Sequence, residues 1–68
     1  MCGIVGYVGP DDPGRIVHQG LENLEYRGYD SAGIALTGET LTLAKRAGQV
    51  GELTVPRSAD ATVGIGHT

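Results

Sequence analysis

Residues 1–9 of the chain read MCGIVGYVG and place the single cysteine of the sequence directly after the initiator methionine. The next residues form a short apolar run, Ile4, Val5, Tyr7 and Val8, interrupted by glycines. Such a run predicts a buried strand that another backbone or a ligand approaches closely. A strand entered immediately after the cysteine would hold that side chain at a fixed point of a sheet edge, and the glycine at position 3 would leave room for a substrate.

The composition leaves little material for an independent core. The chain has 68 residues, of which 12 are glycine, and tyrosine is its sole aromatic residue type. A chain of this size buries only about 60% of its unfolded surface, and small domains usually compensate with disulfides or a metal. One cysteine cannot form an internal disulfide, and with two histidines it makes a poor metal-ligand set. We therefore expect an N-terminal segment of a longer protein, with a self-sufficient mini-domain as the alternative.

The charge pattern argues against several classes of partner. The formal net charge is −3, from 8 acidic and 5 basic residues, whereas phosphate backbones demand basic clusters. No apolar run approaches the roughly 20 residues of a membrane span. No basic segment precedes an apolar stretch, as it would in a secretory signal. The expectation is a cytoplasmic protein with no nucleic-acid or membrane partner.

The segment after the first strand predicts one amphipathic helix. Asp12 followed by Pro13 combines an N-cap acceptor with a proline in the first helical turn. The helix is expected to run from about Pro13 to Arg27, with Gly28 as its C-terminal cap. Its apolar stripe consists of Val17, Leu21 and Leu24. His18 flanks that stripe and is expected to be exposed and without a functional role.

The second half of the chain predicts strands. Residues 31–46, SAGIALTGETLTLAKR, are typical of a hairpin with a two-residue turn at residues 38–39. Apolar residues alternate along its two strands: Ile34 and Leu36, then Leu41 and Leu43. A short helical turn is expected at residues 50–53 and a further strand in residues 62–68, TVGIGHT. This order of elements predicts a mixed α/β or α+β layered fold.

Removal of Met1 would expose Cys2 with a thiol and a free α-amine on the same carbon. Their unperturbed pKa values lie at about 8.5 and about 7.7–8.0, so the amine can take the thiol proton directly or through one water. The expected chemistry is acyl transfer through a thioester that is then hydrolysed, with an oxyanion stabiliser supplied from elsewhere. The alternative is that a small second residue merely allows methionine removal.

Three motifs in a fixed order resemble one enzyme family. MCGIVGYVG is similar to the start of the class II glutamine amidotransferases, in which an N-terminal cysteine is the nucleophile. Residues 24–35, LEYRGYDSAGIA, resemble the signature of one branch, the glutamine–fructose-6-phosphate aminotransferases or glucosamine-6-phosphate synthases. The related amidophosphoribosyltransferases typically read HRGQDAAG here, and asparagine synthetases HRGPD. The closing GIGHT also resembles the family, where RWATHG follows. The resemblance covers the chain and is densest at residues 2–9, 26–36 and 64–68.

The resemblance implies an α+β fold of the N-terminal-nucleophile hydrolase type, an αββα layered sandwich of which residues 1–68 form only the first part. It implies that Cys2 hydrolyses glutamine to glutamate and ammonia. A C-terminal sugar-isomerase domain would use the ammonia to convert fructose 6-phosphate to glucosamine 6-phosphate, in amino-sugar synthesis. It implies no metal or organic cofactor, and a full-length enzyme that is a homodimer.

Three alternatives stay open at this point. The first is an amidotransferase with another acceptor, such as phosphoribosyl pyrophosphate. The second is an N-terminal-nucleophile hydrolase without a transfer step. The third is a small non-enzymatic interaction module in which Cys2 is structural.

Supporting residues also follow from the resemblance. Arg27 and the Gly28 backbone would order the nucleophile and its amine, and a nearby cation would favour the thiolate. Taken alone, Arg27 is typical of a solvated residue at a helix C-terminus. His67 would have a positioning role at the mouth of the site. Lys45 as a Schiff-base lysine and residues 64–66, GIG, as a dinucleotide-binding loop are weaker interpretations.

The resemblance places other parts of the site beyond this sequence. The arginine that grips the glutamine carboxylate would lie in RWATHG, and an Asn-Gly oxyanion site and an aspartate that binds the glutamine amine would follow later. The 68-residue chain is therefore expected to have no glutaminase activity by itself.

Overall fold

The computed structural model describes residues 3–25 and 30–68, which form one antiparallel sheet with a helix packed on one face. The elements in chain order are strand β1 (Ile4–Val8), helix α1 (Pro13–Leu24), strand β2 (Ser31–Thr37), strand β3 (Leu41–Ala47), a 3₁₀ turn (Val50–Glu52) and strand β4 (Val63–His67). The predicted order of elements and the α+β class are confirmed. Within the described ranges, no helix has the length and apolar character needed to cross a membrane.

The strands lie in the order β1-β4-β2-β3, and every pairing is antiparallel. The last strand therefore lies between the first and the second. In its register, His67 pairs with Ile4 on one side and with Gly33 on the other. This arrangement brings the start of β1, the start of β2 and the end of β4 to the same end of the sheet.

Helix α1 begins where the sequence predicts. The Asp12 carboxylate accepts a hydrogen bond of 3.1 Å from the Gly14 N–H, and Pro13 occupies the first turn. The helix ends at Leu24 with Glu25 as its C-cap, three residues before the predicted end at about Arg27, and residues 26–29 lie outside the described part of the chain. The Glu25 carboxylate accepts a hydrogen bond of 2.7 Å from the Val50 N–H, so a tertiary contact lies at the helix end.

Small residues on β4 let the helix approach the sheet closely. A Cβ on Gly66 would lie 2.6 Å from Val17 Cγ1 and 2.9 Å from Leu21 Cδ1, so no larger residue fits there without movement. The neighbouring strand β2 supplies large side chains to the same layer. The buried apolar core consists of Val17, Leu21, Ala32, Ile34, Leu36, Val50, Leu53 and Ala61.

Strand β1 differs from its prediction as a buried strand. It lies at the edge of the sheet, and Ile4 and Val8 are 82% and 77% exposed. Only the alternate residues Val5 and Tyr7 pack against the core.

The glycines of this segment also differ. A Cβ on Gly6 would meet no atom within 4 Å, whereas a Cβ on Gly3 or Gly9 would press against the side chain of Leu24 or of Tyr7.

The hairpin connection is also longer than predicted. Thr37 pairs with Leu41, so residues 38–40 form a three-residue turn in which the Gly38 N–H donates to the Thr40 carbonyl at 3.2 Å. A two-residue turn with glycine first needs a positive φ at that glycine, and Gly38 does not have one.

The face of the sheet opposite α1 carries exposed apolar side chains. We define the bare face by its large apolar residues Ile4, Val8, Leu41, Leu43 and Ile65, which are 59% to 82% exposed. Their registers place them on one face, because successive residues of a strand point to opposite sides.

Candidate functional site

One end of the sheet collects segments that the sequence analysis singled out. There β1 and β2 begin, and β4 ends. Helix α1 reaches the same place, because a Cβ on Gly3 would lie 2.7 Å from Leu24 Cδ1. We call this end the candidate rim and define it by Gly3, Leu24, Gly33, His67 and Thr68.

Three of the four predicted site residues, Cys2, Arg27 and Gly28, lie outside the described residues. Their roles stay predictions. The structure does describe the residues next to them in sequence, and the contacts of those neighbours are given below.

Gly3, the residue after Cys2, is held by Thr68 through two hydrogen bonds. The Gly3 N–H donates to Thr68 Oγ1 at 3.0 Å, and the Thr68 N–H donates to the Gly3 carbonyl at 3.0 Å. The space that a Gly3 side chain would occupy is taken by Leu24 Cδ1 and Thr68 Oγ1. The expectation that Gly3 leaves room for a substrate is therefore wrong, because the chain's own side chains fill that room.

His67 lies at the rim on the bare face and is exposed. Its ring lies against Gly33, where a Cβ would be 2.7 Å from His67 Nε2. The same Cβ would be 3.2 Å from Lys45 Cγ. Because Gly33 has no side chain, the imidazole can pack directly on the backbone of β2. His67 also pairs with Ile4, the first residue of the strand that follows the predicted nucleophile.

The segments on either side of residues 26–29 are fastened to the chain that follows β3. Glu25 Oε2 accepts from the Val50 N–H at 2.7 Å, and the Asp30 carbonyl accepts from the Gly48 N–H at 2.8 Å. Gly48 has a φ of 111°, a conformation that favours glycine. The Asp30 carbonyl therefore ties the residue before β2 to the residue after β3.

His18 is not the exposed residue that the sequence suggests. Its side chain is 15% exposed, and Nε2 lies 3.0 Å from the Val50 carbonyl oxygen. Nδ1 lies 3.6 Å from Glu22 Oε1, one helical turn along. The 3₁₀ turn packs against the flank of α1, so both main-chain polar groups of Val50 are bound by side chains at this helix.

A shallow hollow of about 480 Å³ lies on the bare face beside the rim. Its lining is mainly apolar, and its charged or titratable side chains are Lys45 and His67. Lys45 is exposed on the outer strand β3, as expected for a charged strand residue. Residues 64–66 lie inside β4 and pair on both sides, so they do not form a phosphate-binding loop.

The described residues contain no group of three or more His, Asp or Glu side chains arranged to hold a metal ion. The carboxyl of Asp60 lies at the opposite end of the sheet. Hydrogen bonds from the Glu39 N–H and then the Ser58 hydroxyl hold the pKa of that carboxyl below its ordinary value of 3.8. These contacts fasten the hairpin turn and have no place at the rim.

Thr68 is the rim residue that sequence reasoning missed. Its neighbour His67 is a familiar catalytic residue type, whereas a threonine at the end of a strand carries no comparable signal. The alternation of β4 can assign its face, but only the register between β1 and β4 brings it to Gly3.

The sequence of the chain is similar to those of known proteins. No family model matches the chain. Over its full length, the chain is 65% identical to the isomerizing glutamine–fructose-6-phosphate aminotransferase of Halobacterium salinarum. It is 55% and 54% identical to the enzymes of that name from Listeria monocytogenes and Geobacillus kaustophilus. The chain spans 12% of the length of each of these relatives.

The resemblance inferred from the three motifs is therefore confirmed. The whole chain, including its middle part, is homologous to a segment of the glutamine–fructose-6-phosphate aminotransferases.

Proposed function

From this full-length homology to a segment of the glutamine–fructose-6-phosphate aminotransferases, we propose that residues 1–68 are the first part of the glutaminase domain of such an enzyme. The intact protein hydrolyses glutamine to glutamate and ammonia. It uses the ammonia to convert fructose 6-phosphate to glucosamine 6-phosphate, in amino-sugar synthesis. The observation that carries the proposal is the 65% identity over the whole chain.

Cys2 is the proposed nucleophile once Met1 has been removed. Its α-amine takes the thiol proton, and the thiolate attacks the side-chain carboxamide carbon of glutamine. The amine then gives its proton to the leaving nitrogen, so ammonia departs and a thioester remains. Water hydrolyses the thioester to glutamate and restores the thiol.

Arg27, Gly28 and His67 are the proposed supporting residues. The placement of His67 on Gly33, at the end of the sheet where β1 begins, supports a positioning role for its imidazole. Arg27 and Gly28 follow α1, whose end packs against Gly3 through Leu24. A guanidinium near the thiol would favour its thiolate form.

The bare face supports the layered sandwich as the complete fold. Apolar side chains such as Leu43 and Ile65, 62% and 59% exposed, form a patch that a stable protein normally covers. The occupant we propose is a second sheet from the remaining part of the glutaminase domain, since the relatives are far longer than this chain. The 68 residues alone are expected to release no glutamate.

The sugar-isomerase domain and the homodimer belong to the same proposal and rest on the homology alone. A cytoplasmic location agrees with a single cysteine that must stay reduced to act as a nucleophile.

The test uses the full-length protein. Glutamate release and glucosamine 6-phosphate formation are measured for wild type, Cys2→Ala and Cys2→Ser, and intact mass establishes whether Met1 is removed. We expect Met1 to be absent, and both reactions to fall at least about 1,000-fold in the two variants because the thiolate nucleophile is lost.

Three results would contradict the proposal. Retained Met1 with no glutamate release would favour the non-enzymatic module. Glutamate release with phosphoribosyl pyrophosphate but not fructose 6-phosphate as acceptor would assign a different amidotransferase. Glutamate release without any transfer would assign a simple hydrolase.

A further inference from the structure

The pairing of Gly3 with Thr68 departs from a regular antiparallel ladder. In such a ladder, two opposed residues that exchange hydrogen bonds do so through their main-chain N–H and C=O groups. Here the Thr68 N–H does bind the Gly3 carbonyl at 3.0 Å. The return bond runs instead from the Gly3 N–H to the side-chain hydroxyl Oγ1 of Thr68, also at 3.0 Å.

The Gly3 nitrogen has a special covalent position, because it is the amide nitrogen of the peptide bond that joins Cys2 to Gly3. A peptide unit is planar, and its plane includes the α-carbon of the residue before the bond. A group that orients the Gly3 N–H therefore orients the plane to which the α-carbon of Cys2 belongs. That carbon carries both the thiol-bearing side chain and the α-amine.

We propose that Thr68 is a positioning residue for the Cys2 nucleophile and acts on it through the Gly3 peptide. The inference rests on the proposed function of Cys2. The hydroxyl holds the N–H side of Gly3, and the Thr68 main chain holds the C=O side, so the residue after the nucleophile is fixed from both ends.

The glycine at position 3 is part of the same device. A Cβ there would lie 3.3 Å from Thr68 Oγ1 and 2.7 Å from Leu24 Cδ1, so a side chain would push against both neighbours. With glycine at position 3, the Thr68 hydroxyl can approach the Gly3 N–H, and Leu24 can pack against the Gly3 α-carbon. This explains why a residue without a side chain directly follows the cysteine.

The test compares three variants of the full-length protein. Thr68→Val removes the hydroxyl and keeps the β-branched shape, while Thr68→Ser keeps the hydroxyl. The matched control is Thr62→Val, which removes the same group at the other end of β4, where Thr62 is exposed and pairs through its main chain. For each variant, kcat and KM for glutamine hydrolysis, the pH profile of kcat/KM and the thermal midpoint are measured.

We expect Thr68→Val to lower kcat roughly 10- to 100-fold with little change in KM, because a small misplacement of a reacting group costs rate. The pH profile of kcat/KM should also shift, since the thiol and the amine exchange a proton. Thr68→Ser should recover most of the rate, and Thr62→Val should match wild type.

Wild-type kcat and an unshifted pH profile in Thr68→Val would overturn the inference. So would a roughly 10-fold or greater loss of kcat in Thr68→Ser, which retains the hydroxyl, at an unchanged thermal midpoint. Because Thr68→Ser is compared with wild type, this result decides the matter even if Thr68→Val fails to fold. A wild-type protein without Cys2-dependent glutamate release would instead overturn the proposed function, which is a distinguishable result.

Discussion

The two faces of the sheet carry similar apolar side chains in opposite environments. On the helix face, Ile34 and Leu36 are 1% and 0% exposed because α1 covers them. On the bare face, Leu43 and Ile65 are 62% and 59% exposed. Leu43 lies opposite Ala35, which is the residue between Ile34 and Leu36 on β2. Hydropathy therefore does not distinguish these residues. The packing of α1 and of the core residues Val50, Leu53 and Ala61 on one face does.

Strand β4 shows the difference most directly. It presents Gly64 and Gly66 to the helix and Val63, Ile65 and His67 to the bare face. The glycines admit the side chains of α1 at close range, whereas the larger residues have no such layer among the described residues. This asymmetry is what the proposed layered sandwich requires, with a helix layer on one side and a second sheet on the other.

The largest expected effect comes from placing a charge on the bare face, which tests whether this face is covered in the full-length protein. In the full-length protein, Ile65→Glu is expected to lower the free energy of unfolding by about 4 kcal/mol or more, because it buries an unpaired carboxylate under the second sheet. Soluble yield and chemical denaturation measure the effect. Gln19→Glu adds the same charge on the exposed side of α1 and should change stability by less than about 0.5 kcal/mol. An Ile65→Glu protein as stable as wild type would show that the bare face stays open.

Three glycine-to-alanine substitutions test how tightly α1 packs on the sheet. Gly66→Ala should destabilise the full-length protein by about 1–3 kcal/mol through overpacking, because its Cβ would lie 2.6 Å from Val17 Cγ1. Gly64→Ala should cost less, since its nearest contact would be 3.0 Å, to Leu36 Cδ2. Gly51→Ala is the control, because its Cβ meets nothing within 4 Å. Thermal unfolding orders the three, and equal effects at all three positions would contradict a tightly packed helix face.

The smallest expected effect concerns the turn between β2 and β3, which sets their register. A slip by one residue would exchange the two faces of β3. Asp60 holds this turn, with Oδ2 accepting from the Glu39 N–H at 2.7 Å and Oδ1 from the Ser58 hydroxyl at 2.9 Å. Asp60→Asn is expected to weaken the contact and raise the hydrogen-exchange rate of the Glu39 amide.

The pH dependence of that contact has a definite sign. The pKa of Asp60 is lowered in the folded protein, mainly by the Glu39 N–H, so its stabilising effect is present above the ordinary pKa of 3.8. The effect is lost as the pH falls through the lowered folded value. The difference in Glu39 exchange between wild type and Asp60→Asn should therefore shrink in acid. Asp11→Asn, which removes a charge from another exposed turn, should leave Glu39 exchange unchanged, and a difference that grew in acid would contradict the assignment.

Much of the local structure was readable from the sequence. Asp12 and Pro13 determine the helix start because an N-cap bond and a fixed proline φ involve only neighbouring residues. Alternation correctly indicated strands at Ile34–Leu36 and at Val63–Ile65. The three motifs were also sufficient to indicate the enzyme family, which the full-length matches confirm.

The errors and omissions share one cause. The exposure of β1, the contact of Glu25 with Val50, the partly buried His18 and the pairing of Thr68 with Gly3 all depend on partners distant in sequence. Gly3 and Thr68 are at opposite ends of the chain, and no short pattern links them. The roles of Cys2, Arg27 and Gly28 stay predictions, because these residues lie outside the described part of the chain.

The sequence by itself determined which segments become helix or strand and placed a cysteine ahead of the first strand, because capping, periodicity and turn chemistry act over a few residues. Only the tertiary structure decided that β4 lies between β1 and β2, and with it which apolar residues are covered and which hydroxyl meets the peptide after Cys2. The physical reason is that burial and cross-strand hydrogen bonds form between residues that are distant in sequence. Which of these residues meet is determined by the packing of the whole sheet.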